Sequence, residues 1–214
     1  PILYTFRRCP YAMRARMAVM SAGIACELRE VVLRNKPEHM VAISEKATVP
    51  VLQLQSGTVI DESIEVMEWA LAQSDPRGWL HFADSAETNQ LVAKNDGSFK
   101  QDLDHYKYFV RFPEHPQEFY RARAETFLGE LERRLRASDS KGVMGERTSF
   151  ADIAIFPFVR QFSKVDLKWF AAAPFPSLRT WLARLEEGEL YRSVMQKYPA
   201  WVDGDPITVF ADAA

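Results

Sequence analysis

The chain is poor in cysteine and histidine, and its charge is almost balanced. Two cysteines, Cys9 and Cys26, are too few for a disulfide framework of the kind that staples small secreted domains. The four histidines (His39, His81, His105, His115) are scattered, and none falls in an HxxxH or mixed Cys/His spacing. No metal site is therefore expected. Lys and Arg total 27 against 29 Asp and Glu, a formal charge of −2, which gives no general attraction to nucleic acid or to an anionic membrane. No apolar run approaches the roughly 18 residues that span a bilayer. The opening "PILYTF" reads as a strand, not as a basic and then apolar leader, so a cytoplasmic protein is expected.

What is present suits a globular protein with a sizeable core: 47% hydrophobic and 26% charged residues over 214 positions, enough for two domains. The first stretch alternates short strands and helices. "ILYTF" (2–6) is β-rich, "YAMRARMAVMSAG" has helical period, and Gly23 offers a C-cap. "CELREVVL" (26–33) alternates as a half-exposed strand, and "PEHMVAIS" (37–44) reads as a short helix with Pro37 at its first position. "VPVLQL" (49–54), a turn at Ser56-Gly57 and "TVI" (58–60) form a hairpin, and "ESIEVMEWALAQ" (62–73) closes the unit as a helix. The order is βαβαββα, an α/β domain over residues 1–75.

Residues 76–84 form a linker, and beyond it the strand signal vanishes. Residues 85–214 are expected to be an all-α domain, with helical spacing over 85–110, 117–137, 149–162, 176–188 and 189–198 and a polar tail whose docking stays open. "SFAD" (149–152) has the spacing of an acidic capping box ahead of the very apolar "IAIFPFV", so Asp152 is read as structural.

The sharpest question lies in "RRCPYAMRARMA" (7–18). If the first helix begins at Pro10, Cys9 is its N-cap and Pro10 sits where a missing N–H costs nothing. A thiolate there would accept the amides of Tyr11 and Ala12, feel the positive end of the helix dipole and sit near Arg7 and Arg8. Cys9 is thus a candidate nucleophile; the plain alternative is a buried cysteine that packs. Cys26, on a strand, has no such setting. Ala12 stands where a CxxC motif would have its second cysteine, so any redox cycle is monothiol and needs an external thiol.

Together "RRCPYAMRARMA", "RNKPEHM", "ATVPVLQL", "DESIEVMEWAL" and "SFADIAIFP" resemble, in order, the cytosolic glutathione transferases, specifically the cysteine-type, omega-like branch. The resemblance implies a thioredoxin-like N-terminal domain, an all-helical C-terminal domain, a homodimer, and glutathione as cosubstrate. It implies that Cys9 is catalytic and that the Val49-Pro50 bond is cis, with the Val49 backbone pairing with the cysteinyl part of glutathione. Glu62 and Ser63 would hold the γ-glutamyl end and Lys36 the glycine carboxylate. Apart from the resemblance, an ordinary helix cap and a solvated lysine explain these residues as well. Tyr11, Phe99, Tyr106 and Trp169 are candidates for an acceptor pocket, although the aromatics suit a core equally.

The expected function is glutathione-dependent thiol transfer or reduction, such as deglutathionylation or dehydroascorbate-type reduction. The alternatives are conjugation of glutathione to an electrophile, and a non-catalytic binding or regulatory module. The expected partners are glutathione and a small electrophile or mixed disulfide, with neither nucleic acid nor membrane.

Overall fold

The computed structural model describes residues 1–83 and 85–211. Asp84 of the expected linker and residues 212–214 of the expected helical domain lie outside them. The chain divides into two compact units, Pro1–Arg77 with Gly188–Ala214, and Gly78–Glu187.

The first unit contains β1 (Ile2–Thr5), α1 (Pro10–Ser21), β2 (Cys26–Glu30), α2 (Glu38–Ile43), β3 (Val51–Gln53), β4 (Val59–Ile60) and α3 (Ser63–Gln73), in the expected order. β1 runs parallel to β2 and antiparallel to β3, and β3 pairs antiparallel with β4. Leu3 lies opposite both Leu28 and Leu52, and all three are buried. Because side chains alternate along a strand, Tyr4, Arg29 and Val51 then share the opposite face. Tyr4, Val49, Val51, Met40, Val31 and Ala12 form a cluster there, with Cys9 packed against it.

α1 stops for a local reason. Gly23 takes φ +67°, and the N–H groups of Gly23 and Ile24 donate back to the carbonyls of Met20 (3.1 Å) and Val19 (3.2 Å). This pair of bonds satisfies carbonyls that the helix end leaves open, and the left-handed turn between them suits glycine. α1 is buried nearly all round, so Arg14 and Arg16 sit inside the fold at 2% and 1% exposure. Helical spacing alone does not show that.

Two expectations are corrected here. Pro37 is the N-cap of α2 (φ −56°, ψ 134°) rather than its first helical residue. The expected 85–214 helical domain does not hold its tail. α10 (Glu189–Val194) packs on α1, and β5 (Val209–Phe210) pairs antiparallel with β2, so the sheet order is β4-β3-β1-β2-β5. The physical reason is the open edge of β2, whose backbone groups need partners. β5 supplies them, and Leu28 N–H donates to the Thr208 carbonyl at 2.8 Å.

The second unit contains α4 (Ala86–Lys94), α5 (Lys100–Lys107), α6 (Gln117–Ala137), α7 (Phe150–Ser163), α8 (Leu167–Ala172) and α9 (Pro176–Glu187). A π-helical turn, Asn95–Phe99, joins α4 to α5, so the single helix expected over 85–110 is locally widened. α8, capped by Asp166 on Trp169 N–H at 2.9 Å, has no counterpart in the periodicity reading.

α7 is the core of this unit, and its start is the expected capping box. Asp152, fully buried, accepts from Ser149 N–H (2.8 Å), Ser149 Oγ (2.6 Å), Val143 N–H (2.9 Å) and the Trp181 indole (2.7 Å). No helix among the described residues is long and apolar enough to cross a membrane.

Candidate active site

Cys9 caps α1 with extended backbone (φ −73°, ψ 125°), and Pro10 follows at the first helical position, as the spacing predicts. The sulfur's partner differs from the expected one. The thiol caps no helix amide; it points at the Val49 carbonyl, 3.7 Å away. The Val49-Pro50 bond is cis, and the Val49 N–H has no partner among the described residues. Cys9 is partly exposed, whereas Cys26 is 4% exposed and faces Phe210 of β5. Burial pushes the Cys26 thiol up to about 12, which leaves it protonated and unreactive at neutral pH.

The positive charge beside Cys9 also comes from an unexpected residue. Arg7 directs its N–H to Glu30 (2.8 Å) and its guanidinium to the Met195 carbonyl (3.5 Å), while Arg8 lies over the Phe6 ring at 5.5 Å. Arg16 reaches under the turn that carries Cys9, donating to the Arg7 carbonyl at 2.8 Å and to Thr5 Oγ1. Burial lowers its pKa to about 10, and the negative charges of Glu30 and of a Cys9 thiolate oppose that fall. Arg16 therefore stays protonated near neutrality. An arginine inside a helical pattern carries no local mark of burial, so the sequence alone does not single it out.

Glu62 caps α3, and Ser63 is its first residue. The buried Ser63 Oγ accepts from Arg14 Nε at 3.0 Å, which leaves its hydroxyl proton free to donate elsewhere. Glu62 is exposed and ion-paired with Lys46, which also reaches Asp61 at 3.4 Å. Asp61 in turn accepts from Ser44 Oγ at 2.7 Å, and this bond, with Lys46 beside it, holds its carboxyl below the usual range. Arg14, Lys46 and Asp61 join the predicted pair only in the folded chain. Lys36 stands just before the α2 cap, half-buried and without an ion pair among the described residues.

Of the four aromatics, Tyr11 lies in the first unit, where the Arg14 guanidinium sits 5.1 Å from its ring. The other three meet around Phe162 in the second unit, with centroids 5.8 Å (Phe99), 5.0 Å (Tyr106) and 5.9 Å (Trp169) from it. Phe99 and Tyr106 are each 1% exposed and serve as core; Trp169 is half-buried under the Arg121 guanidinium at 4.7 Å. Among the described residues, no group of three His, Cys, Asp or Glu side chains could hold a metal ion.

The family models for the glutathione S-transferase N-terminal domain and C-terminal domain match residues 3–78 and 90–184. The chain is 25% identical over 198 residues to glutathione S-transferase omega-1 of Rattus norvegicus, covering 86% of this chain and 76% of the relative. A glutathione transferase family member from Pseudomonas fluorescens, solved with two glutathione bound, superposes with TM-score 0.75 at 21% identity over 91% of each chain. A glutathione transferase from Pseudomonas putida, solved with one glutathione disulfide bound per subunit, also superposes with TM-score 0.75, at 20% identity over 91% of this chain and 90% of that one. With both domain models matched in order and the sheet and helices arranged accordingly, this chain belongs to the glutathione S-transferase family.

Proposed function

We propose that this protein is a glutathione-dependent thiol transferase in which Cys9 is the nucleophile. The observation that carries the reading is the position of Cys9: a partly exposed thiol at the start of α1, facing the Val49 backbone beside cis-Pro50. The open Val49 N–H can donate to the cysteinyl carbonyl of glutathione, and turning the thiol away frees the Val49 carbonyl to accept in return. The α3 N-terminus with the Ser63 hydroxyl suits the γ-glutamyl carboxylate. Glu62 can take the ammonium in exchange for Lys46. Lys36 takes the glycine carboxylate in this proposal, as the family resemblance implies. That a Pseudomonas putida relative was solved with glutathione disulfide supports the same ligand class.

The chemistry balances without a metal or an external oxidant. The Cys9 thiolate attacks the glutathionyl sulfur of a mixed disulfide. That S–S bond breaks, the acceptor leaves as a thiolate that takes a proton, and Cys9 becomes S-glutathionylated. A second glutathione thiolate attacks the glutathionyl sulfur, releases glutathione disulfide and restores the Cys9 thiolate. Arg16 stabilises the thiolate in both the first and the last state. A homodimer is part of the proposal, as the family resemblance implies.

The test is a set of acceptors run side by side: a glutathionyl mixed disulfide, dehydroascorbate, a glutathionyl quinone and a chloronitrobenzene. We expect turnover of the first three classes to exceed conjugation of the last, because a cysteine beside the bound sulfur traps it as a disulfide. Conjugation as the dominant activity would make this an ordinary conjugating transferase, and no turnover at all would make it a binding module.

Glutathione affinity should fall in Lys36→Ala by roughly tenfold or more, the loss expected for one charged contact. Ser63→Ala should weaken it as well, because it removes the hydroxyl that donates to the γ-glutamyl carboxylate. Titration calorimetry with unchanged affinity in both variants would remove this site.

A further inference from the structure

We propose that the C-terminal tail, residues 188–211, is a positioning element for the glutathione-binding segment at α2, acting through Trp201, Arg29, Tyr4 and His39. The inference rests on the glutathione reading above.

α2 is weakly held by its own sequence. It has six residues and a proline cap with no side-chain hydrogen bond, and Met40 is its one fully buried residue. Glu38, His39, Val41 and Ala42 are exposed. Its polar tether is His39, whose Nδ1 lies 2.6 Å from the Tyr4 hydroxyl. The same hydroxyl lies 2.6 Å from Arg29 Nη1. Arginine only donates, so the Tyr4 oxygen accepts from Arg29 and its proton goes to His39 Nδ1. Burial raises the Tyr4 pKa, which keeps that proton in place at neutral pH.

Arg29 is fixed in turn. Glu27 accepts from its Nε at 2.6 Å, and its guanidinium stacks 4.1 Å from the centre of the Trp201 ring. Trp201 belongs to the tail, and its backbone is anchored to β2 by donation from its N–H to the Glu30 carbonyl at 2.9 Å. Its ring also meets Tyr4 edge-on at 6.2 Å. The tail thus closes a chain of contacts that runs from β5, through Trp201 and Arg29 on β2 and Tyr4 on β1, to His39 on α2. Lys36 and Pro37 lie immediately before that helix.

The tail touches the Cys9 side as well. The Arg7 guanidinium reaches the Met195 carbonyl at 3.5 Å, and Glu30, whose carbonyl holds Trp201, accepts the Arg7 N–H through its carboxylate. One element, far from Cys9 in sequence, therefore braces both the nucleophile's turn and α2.

The test measures glutathione affinity by calorimetry on the full chain, with the far-UV circular dichroism spectrum and its thermal melt as a check that each variant is folded. We expect His39→Ala and Trp201→Ala each to weaken glutathione binding about fivefold, the size of one lost hydrogen bond. The double variant should be no weaker than the worse single, since both break the same chain. His39→Asn should restore affinity, because its Oδ1 can accept from Tyr4 where Nδ1 did. Wild-type-like affinity in His39→Ala, or full additivity in the double variant, overturns the proposal. If Trp201→Ala does not fold, Trp201→Leu takes its place in the cycle, and wild-type-like affinity in that variant overturns the proposal. Wild-type protein that fails to bind glutathione would overturn the glutathione reading itself, and this proposal with it.

Discussion

Replacing Cys9 with alanine should abolish thiol transfer, with the protein still folded. Cys26 cannot take over: it is 4% exposed, paired across the sheet with β5, and its thiol is pushed up to about 12 by burial. Oxidised glutathione should accordingly add one glutathione to Cys9 and none to Cys26, as read by peptide mass. Cys9→Ser should also lose transfer, because serine cannot form the mixed disulfide. It should gain conjugation, since a hydroxyl at this position can hydrogen-bond a bound glutathione thiolate without trapping it. Cys9→Ala should lack that gain. The packing cost of the alanine change is small, because the side chain is only partly buried and the thiol caps no amide. Full thiol transfer in Cys9→Ala would leave Cys9 as a packing residue and end the mechanism.

The second large effect is on stability. Asp152→Ala should cost about 3 kcal/mol, more than the roughly 0.5–2 kcal/mol of a lost cap. The excess comes from the Trp181 indole N–H and the Val143 N–H, both of which lose their buried acceptor. In a chain of this size that corresponds to a fall of roughly 6–12 °C in Tm. Trp181→Phe removes one of these bonds while keeping most of the ring, and should cost less than Asp152→Ala. Denaturant titration giving Asp152→Ala a wild-type midpoint would show that the network stabilises nothing. A stable but inactive Asp152→Ala would show instead that a catalytic carboxylate had been read as structure.

The legible features share one property: their partners lie within a few residues. The start of α1 at Pro10, its end at Gly23, the Ser56-Gly57 turn and the Ser149–Asp152 box each follow from local rules of helix ends and turns. The order of elements from β1 to α3 was legible because period-2 and period-3.6 patterns alternate there. The cis bond and the glutathione roles of Lys36, Glu62 and Ser63 were legible only through the family resemblance, since spacing by itself allowed a solvated lysine and a helix cap.

What tertiary structure alone decided involves partners far apart in the chain. β5 completes the sheet because the edge of β2 is open, not because "TVF" announces a strand. Arg16 became the cation beside Cys9 once α1 was enclosed, and Lys46 met Glu62 only when α2 and α3 were placed. Glu132 on α6 accepts from the first amides of α9, at Ser177 (3.3 Å) and Leu178 (2.8 Å), a cap supplied from 45 residues away. Trp201, Arg29, Tyr4 and His39 are polar or aromatic residues that any surface could carry, and only packing against one face of the sheet joins them. A hydrophobic pattern shows which residues leave water. It does not say which buried polar group will satisfy which other, because that is settled by the faces that pack and by the cost of leaving a buried donor or acceptor alone.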